Sequence, residues 1–270
     1  MNRREIAEDA AITGASVGTM MLIQSLWLHR AESHGAIRFK RSARAAARFG
    51  TWLLSGMAPR EYVKVHTHHH IVEDKPGDFH SPVQHGRFGV PKVIAGNPVY
   101  YRRGAKELAA QNFPDKIKPD KLDAKLYDRS LLGQAALLGI FTAAKGGDIK
   151  KGAKLLAIHD VSVLVLSGLV NGWLHRGQEN VRALWNKPVP DADGRYTRNA
   201  GLVLGFLTMG DGNHDTHHRH PGQLRLHPNP FLDIGGVVGE QMIKLGLAEA
   251  GGPPQDVVSA STETGVISTE

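Results

Sequence analysis

The sequence AAITGASVGTMMLIQSLWL, residues Ala10 to Leu28, contains no charged side chain and ends directly before His29. A helix rises about 1.5 Å per residue, so this stretch has about the length needed to cross a bilayer. Its Gly, Ser and Thr residues make it only moderately hydrophobic, and a buried helix of a soluble protein would have the same pattern. The stretch therefore predicts a helix, in a membrane or in a core, that ends at a histidine.

Two further apolar runs, Ser130–Ala144 and Ala153–Leu174, lie in the second half of the chain. The first is short for a membrane span, and the second is long enough. The link Lys145–Lys154 contains three glycines, which predicts a tight turn between antiparallel helices. The two runs therefore predict a helical hairpin.

The remaining segments are more polar. The basic stretch Arg30–Arg48 predicts an amphipathic helix, either at a membrane surface or exposed to water. Residues 73–128 contain six prolines, so short helices are expected there. Residues 185–198 predict a loop, and Gly235–Ala250 predicts a last helix. We expect one domain over residues 1–250 and a disordered tail over residues 251–270.

The composition excludes several classes of site. The chain of 270 residues has no cysteine, which excludes disulfides, zinc ribbons, iron–sulfur clusters and thiol catalysis. Lys and Arg number 33 against 26 Asp and Glu, which favours anionic partners such as phospholipid headgroups, an acidic carrier or nucleic acid. No nucleic-acid-binding signature accompanies this charge, so we expect no nucleic-acid partner.

The chain contains 15 histidines, and most of them cluster. Four clusters read HRAESH, HTHHH, NGWLH and HDTHH, and the first and third of them adjoin an apolar run. His68 of the second cluster lies off the helix face that the other three histidines share. The remaining candidate ligands are His29, His34, His66, His69, His70, Asn171, His175, His214, His217 and His218.

The spacing within these clusters suits metal binding. In each H-x-x-H-H, positions i, i+3 and i+4 share one helix face, so the three rings could converge on one point. Imidazole binds iron, zinc, copper and nickel alike, but a zinc site closes with about four ligands. Nine histidines therefore suggest two metal ions. A single histidine beside an apolar run is most often a core or surface residue, but two copies of H-x-x-H-H make chance a poor explanation.

The ordered set H-x4-H, H-x-x-H-H, N-x-x-x-H and H-x-x-H-H resembles the membrane fatty-acid desaturases, especially the stearoyl-CoA desaturase branch. Gly210-Asp211-Gly212-Asn213-His214 is similar to the G-E-G-x-H of that branch, with Asp in place of Glu. Residues 29–34 resemble its H-R-x-x-S-H, and residues 78–81 resemble its D-P-H-S. The resemblance extends from about Leu22 to Phe231.

The resemblance implies an all-α, membrane-associated helical bundle with a histidine-rich di-iron cap that faces the cytoplasm. The nine clustered histidines would bind two irons, and Asn171 would hold a metal-bound water. It implies an O2-dependent acyl desaturase whose substrate is linked to CoA, acyl-carrier protein or lipid. Electrons would come from a ferredoxin-like or b-type cytochrome donor.

Three features depart from the family pattern. Only one predicted span precedes the first histidine cluster, where the family has two. Four lysines lie in the turn 145–154, against the positive-inside tendency, and Asp160 falls inside an apolar run. Two other readings therefore stay open: a hydroxylase of the same superfamily that acts on an alkane, sterol or carotenoid, and a metal-binding relative without turnover.

Overall fold

The computed structural model describes residues 2–178 and 184–252, and these residues are predominantly helical. The α-helices are α1 (Arg3–Ile23), α2 (Arg41–Ser55), α3 (Pro59–Val72), α4 (Gly89–Ala110), α5 (Ser130–Ala144), α6 (Ile149–Gly168), α7 (Leu202–Leu207), α8 (His214–Arg219) and α9 (Ile234–Lys244). Segments of π-helix cover Gln24–Ser33, Asp123–Tyr127 and Leu169–Trp173, and 3-10 turns cover Pro82–His85 and Pro230–Leu232. Strand β1 (Ile37–Phe39) pairs antiparallel with β2 (Ala248–Ala250).

Two helices are long and apolar enough to cross a membrane. α1 continues into its π-helical segment, giving a helix over Arg3–Ser33, and α6 continues likewise over Ile149–Trp173. Both helices carry the predicted apolar runs, and both end at histidine clusters. They pack along each other in parallel, since Asp9 near the start of α1 contacts Lys154 near the start of α6 at 2.8 Å.

The predicted hairpin is confirmed, and α5 has the predicted bounds Ser130–Ala144. Gly146 and Gly147 adopt φ values of +68° and +88° in the turn, which glycine reaches without steric cost. The lysines around this turn are paired with the first turns of α1: Lys145 with Asp9 and Lys151 with Glu5, each at 2.8 Å. These pairs offset the positive charge that departs from the family pattern.

The core extends over α1 to α6, and between α1, α2, α5 and α6 it buries Met20, Leu137 and Leu155. His159 of α6 is also fully buried in this region. Its Nε2 lies 2.6 Å from the carbonyl oxygen of Leu54, and its Nδ1 lies 2.9 Å from Ser16 Oγ. This histidine therefore ties α6 to α1 and α2.

Three expectations were wrong in detail. Residues 73–128 contain the 22-residue helix α4. Its Pro91 stands in the first turn, where no N–H partner is needed, and the helix continues through Pro98.

The basic stretch 30–48 begins with π-helix and strand, so α2 starts only at Arg41. α9 ends at Lys244, after which Gly246 has φ +69° and the chain forms β2. Residues 253–270 of the predicted tail lie outside the described residues.

Candidate metal centre

The histidine clusters meet where α1 and α6 end. His29 lies on the π-helical segment after α1, and His34 ends that segment. His66, His69 and His70 lie on α3, and His214, His217 and His218 lie on α8. His175 follows the π-helical segment of α6 by two residues. Four separate parts of the chain thus bring their rings to one place.

The nine clustered rings form two groups. The first group contains five residues whose ligand atoms lie within 4.8 Å of one another: His29, His34, His66, His70 and His217. The Nε2 atoms of His29 and His217 are 2.8 Å apart, and those of His34 and His66 are 3.0 Å apart. His70 Nε2 lies 3.2 Å from His66 Nε2 and 3.1 Å from His217 Nε2.

The second group contains the other four residues: His69, His175, His214 and His218. His175 and His214 bring their Nε2 atoms to 2.7 Å, and His214 and His218 bring theirs to 3.2 Å. His69 Nε2 lies 3.4 Å from His218 Nε2. All four residues are buried, and the side chain of His218 is 0% exposed.

Neither H-x-x-H-H triplet converges on one point, so that expectation was wrong. On a helix, residue i+4 is offset from residue i by about +40° and residue i+3 by about −60°. His66 and His70 therefore face the first group, whereas His69 faces the second. On α8 the outer two residues of the triplet, His214 and His218, face the second group, and His217 faces the first. Each triplet bridges the two groups.

Carboxylates hold the outer nitrogens of several rings. The Nδ1 atoms of His29, His69 and His175 contact Asp211, Asp78 and Asp74 at 3.0, 2.7 and 2.9 Å. His218 Nδ1 lies 3.2 Å from Glu73. A carboxylate on Nδ1 fixes the tautomer and leaves Nε2 as the lone-pair donor that faces inward. Sequence reasoning did not assign a role to these carboxylates, although each lies within five residues of a clustered histidine or in the D-x-H-S motif.

Burial governs the charge state of most of these rings. Desolvation, followed by repulsion from neighbouring histidines, lowers the pKa well below the usual range for His34, His66, His70, His214, His217 and His218. His69 differs. Burial opposes its charge, but the charge of Asp78 and the hydrogen bond to it raise the pKa of His69. The site thus favours neutral imidazoles, which is the state that binds metal.

Asn171 is buried on the π-helical segment after α6. Its amide nitrogen donates to Oδ1 of Asn97, on α4, at 3.0 Å. This hydrogen bond fixes the orientation of the amide, four residues before His175. Sequence reasoning gave no role to Asn97.

His80 is a neighbour that spacing did not reveal. Its ring is fully buried and stacks on Tyr101 at 4.8 Å between centroids. It also forms a compact group with His69 and Asp78. Neither ring nitrogen has a hydrogen-bond partner among the described residues. His68, by contrast, lies between Phe79 and Phe113 and belongs to neither histidine group.

The spacing of the Nε2 atoms fits metal coordination. With metal–nitrogen bonds of about 2.1 Å, two ligands lie about 3.0 Å apart at a right angle and about 3.4 Å apart at the tetrahedral angle. The contacts between Nε2 atoms run from 2.7 to 3.4 Å. A proton could bridge only some of these contacts, whereas a cation in each group would satisfy all the inward-facing lone pairs. The donor set therefore fits one metal ion in each group.

Comparison with known families gives a match over most of the chain. The family model described as fatty acid desaturase matches residues 10–227, well over half of the chain. The matched region contains all four histidine clusters, the whole helix Ile149–Trp173 and the helix Arg3–Ser33 from residue 10 onward. A search of curated proteins finds no match.

Proposed function

Because the chain belongs to the fatty acid desaturase family, we propose that it introduces a double bond into a fatty acyl chain in an O2-dependent reaction at a di-iron centre. The observation that carries this proposal is the division of nine histidines into two groups with inward-facing Nε2 atoms. A single-metal binder would need only one of these groups.

The first iron would be held by His29, His34, His66, His70 and His217, and the second by His69, His175, His214 and His218. All these ligands are neutral nitrogens, which suit iron among the first-row metals but do not select it by themselves. The irons, when bound, would supply activation of O2 and removal of hydrogen from an unactivated acyl CH2 group. In the overall reaction, two adjacent CH2 groups lose one hydrogen atom each. Two further electrons and two protons complete the reduction of O2 to two waters.

The chain's own residues prepare the site. Asp211, Asp78 and Asp74 hold their histidines with Nδ1 outward, so that Nε2 keeps its lone pair. Burial lowers the pKa of six of the nine rings, so these six ligands need not lose a proton before metal binds, whereas His69, whose pKa is raised by Asp78, has the greater tendency to carry one. We propose that Asn171, oriented by Asn97, holds a water at the second iron, because it lies one helical turn before His175.

The position of the site suggests its surroundings. α1 and α6 are parallel and both end at the histidines, so the site would lie at one face of the membrane. We propose that this face is cytoplasmic, where an acyl substrate on CoA, acyl-carrier protein or lipid would meet a ferredoxin-like or b-type cytochrome donor. The opposite end carries the ion pairs between the lysines of the α5–α6 turn and the acidic residues of α1.

Lipid analysis of a host that expresses the protein tests the reaction. We expect new unsaturated acyl chains by mass spectrometry, and their loss in the His217→Ala variant. His227→Ala is the matched control, because the His227 ring accepts a hydrogen bond from the backbone N–H of Asn229 in a surface turn and belongs to neither histidine group. Hydroxylated products would favour the hydroxylase reading. Unchanged lipids, with iron bound and a reductant supplied, would favour a metal-binding relative without turnover.

A further inference from the structure

α7 presents an unusually apolar outer surface. Leu202, Val203, Phe206 and Leu207 are 59%, 72%, 45% and 42% exposed, and they lie on one side of the helix. The opposite side, with Gly205 and Thr208, is buried. Phe231, in the adjacent 3-10 turn, is 64% exposed. We call these five exposed side chains the α7 patch.

The side of α7 that faces the protein is already closely packed, so α7 cannot rotate to bury the α7 patch there. A Cβ on Gly205 would stand 3.0 Å from Leu232 Cδ2, and a Cβ on Gly212 would stand 2.7 Å from the Cα of Gly205. The first contact holds α7 against the turn that carries Phe231, and the second holds it against the segment that precedes α8. The patch therefore needs a partner from outside the described part of the chain.

Contacts with the first apolar helix show which part of that helix lies beside the end of α7. Ser25 Oγ donates to the carbonyl oxygen of Met209 at 3.2 Å. The methyl carbon of Met209 lies 3.6 Å from the point that a Cβ on Gly18 would occupy. Gly18 and Ser25 both belong to the charge-free run Ala10–Leu28. The end of α7 thus lies beside the half of a candidate membrane span that is nearer to the histidine site.

The sequence around α7 has the same character. Residues 200–210 read AGLVLGFLTMG and carry no charge. A charge-free stretch of this length is too short to cross a bilayer and is typical of a segment in the membrane interface. The nearest preceding charge, Arg198, turns away to bond the carbonyl oxygen of Gly177.

We infer that the α7 patch inserts into the lipid leaflet beside α1. The occupant is lipid acyl chain rather than protein, because Met209, just after α7, packs against Gly18 and Ser25 of the charge-free run Ala10–Leu28. α8 begins only seven residues after α7 ends, so this insertion would hold the last histidine cluster at the membrane surface. The inference rests on membrane association and does not depend on the proposed reaction.

The absence of cysteine allows a direct test. Val203→Cys and Phe206→Cys, each labelled with bimane in the full-length protein, are reconstituted in phosphatidylcholine vesicles. Val161→Cys on the exposed side of α6 is the control for lipid contact, and Lys121→Cys in the polar 111–128 segment is the control for water. We expect brominated phosphatidylcholine to quench labels at 203, 206 and 161 and iodide to quench the label at 121.

Three outcomes would overturn the inference. Labels at 203 and 206 could respond to iodide as strongly as the label at 121. They could resist both quenchers while copper–phenanthroline links 203 to 203, which would identify a second copy of the chain as the partner. They could also resist both quenchers without such a link, which would indicate burial inside the protein. Metal content, measured in the same variants, reports separately on the histidine site.

Discussion

The Nε2 atoms of His29 and His217 lie 2.8 Å apart although the residues are 188 positions apart in the chain. His29 belongs to the first apolar helix and His217 to α8, so the first histidine group closes only when the C-terminal third packs against α1. Asp211, which contacts His29 Nδ1, comes from the same C-terminal part. Metal binding and the packing of this segment should therefore be coupled.

Loss of one ligand should affect one metal more than the other. His34→Ala removes a donor from the first group only, and His175→Ala removes one from the second only. We expect metal content to fall from about two ions per chain toward about one in each variant, since the other group keeps its donors. Elemental analysis after anaerobic reconstitution with iron measures this, with His227→Ala as the control. Zinc as the sole metal in active protein would contradict the di-iron assignment.

Removing the carboxylate behind His29 should weaken metal binding without removing a ligand. Asp211→Asn keeps the shape of the side chain but loses the charge that orients the ring and strengthens its basicity. We expect metal affinity to fall about 10–100-fold, measured by competition with a chelator. Asp215→Asn is the matched control, because Asp215 pairs with Arg195 and Arg219 instead of a histidine. Equal affinities in the two variants would show that Asp211 does not act on the metal.

The metal-free protein should lose stability in acid. The folded state lowers the pKa of the six histidines named above, whereas the unfolded chain binds protons near pH 6.5, so the unfolded state binds more protons below that pH. Stability is thus fully present above about pH 6.5 and falls as the pH drops. The steepest slope is about 1.4 kcal/mol per pH unit for each such histidine. His69, whose pKa is raised, contributes in the opposite direction.

Denaturant unfolding in detergent between pH 8 and pH 5 measures this slope. The variant His80→Phe supplies a matched comparison, because His80 also has a pKa lowered well below the usual range, chiefly by burial. Phenylalanine keeps the ring that stacks on Tyr101, so the slope should become less steep while the fold is retained. A free energy of unfolding that does not change with pH would refute the neutral, buried state of the cluster.

The ion pair between Arg30 and Asp233 should be sensitive to loss of one partner. Both side chains are fully buried, with Arg30 Nη2 at 2.8 Å from Asp233 Oδ1. Asp233→Asn leaves the guanidinium charge with only Asp211 at 4.0 Å, so we expect a loss of about 3–5 kcal/mol in the free energy of unfolding. The double variant Arg30→Met with Asp233→Asn should recover part of that loss. No recovery would show that Asp233 acts mainly through the backbone N–H groups of Leu226 and Gly236 that it binds.

His159 should matter for stability but not for metal. The variant His159→Ala removes the hydrogen bonds to Ser16 and Leu54 and leaves a cavity inside the α1–α2–α6 core. We expect a loss of about 2–4 kcal/mol in the free energy of unfolding, with unchanged metal stoichiometry in the folded fraction. Thermal melting and elemental analysis of the same sample measure both quantities. Loss of metal from still-folded protein would show a link between this residue and the site.

Local sequence determined the helices and the ligand candidates. Apolar runs without charge, such as Ser130–Ala144, form helices because their side chains can be buried only when the backbone satisfies its own hydrogen bonds. The repeated H-x-x-H-H pattern identified the two helices that carry six clustered rings, since spacing of three and four residues brings rings to one side of a helix. Both properties depend on neighbours within a few positions, so they can be read along the chain.

Only the tertiary structure decided how the rings are divided. Spacing places His66, His69 and His70 on one side of α3, but the position of α8 opposite that side separates His69 from the other two. The carboxylates of Asp74, Asp78 and Asp211, and the exposure of the α7 patch, likewise depend on which segments meet in space. Long-range packing sets these distances, and no periodicity within a single segment encodes them.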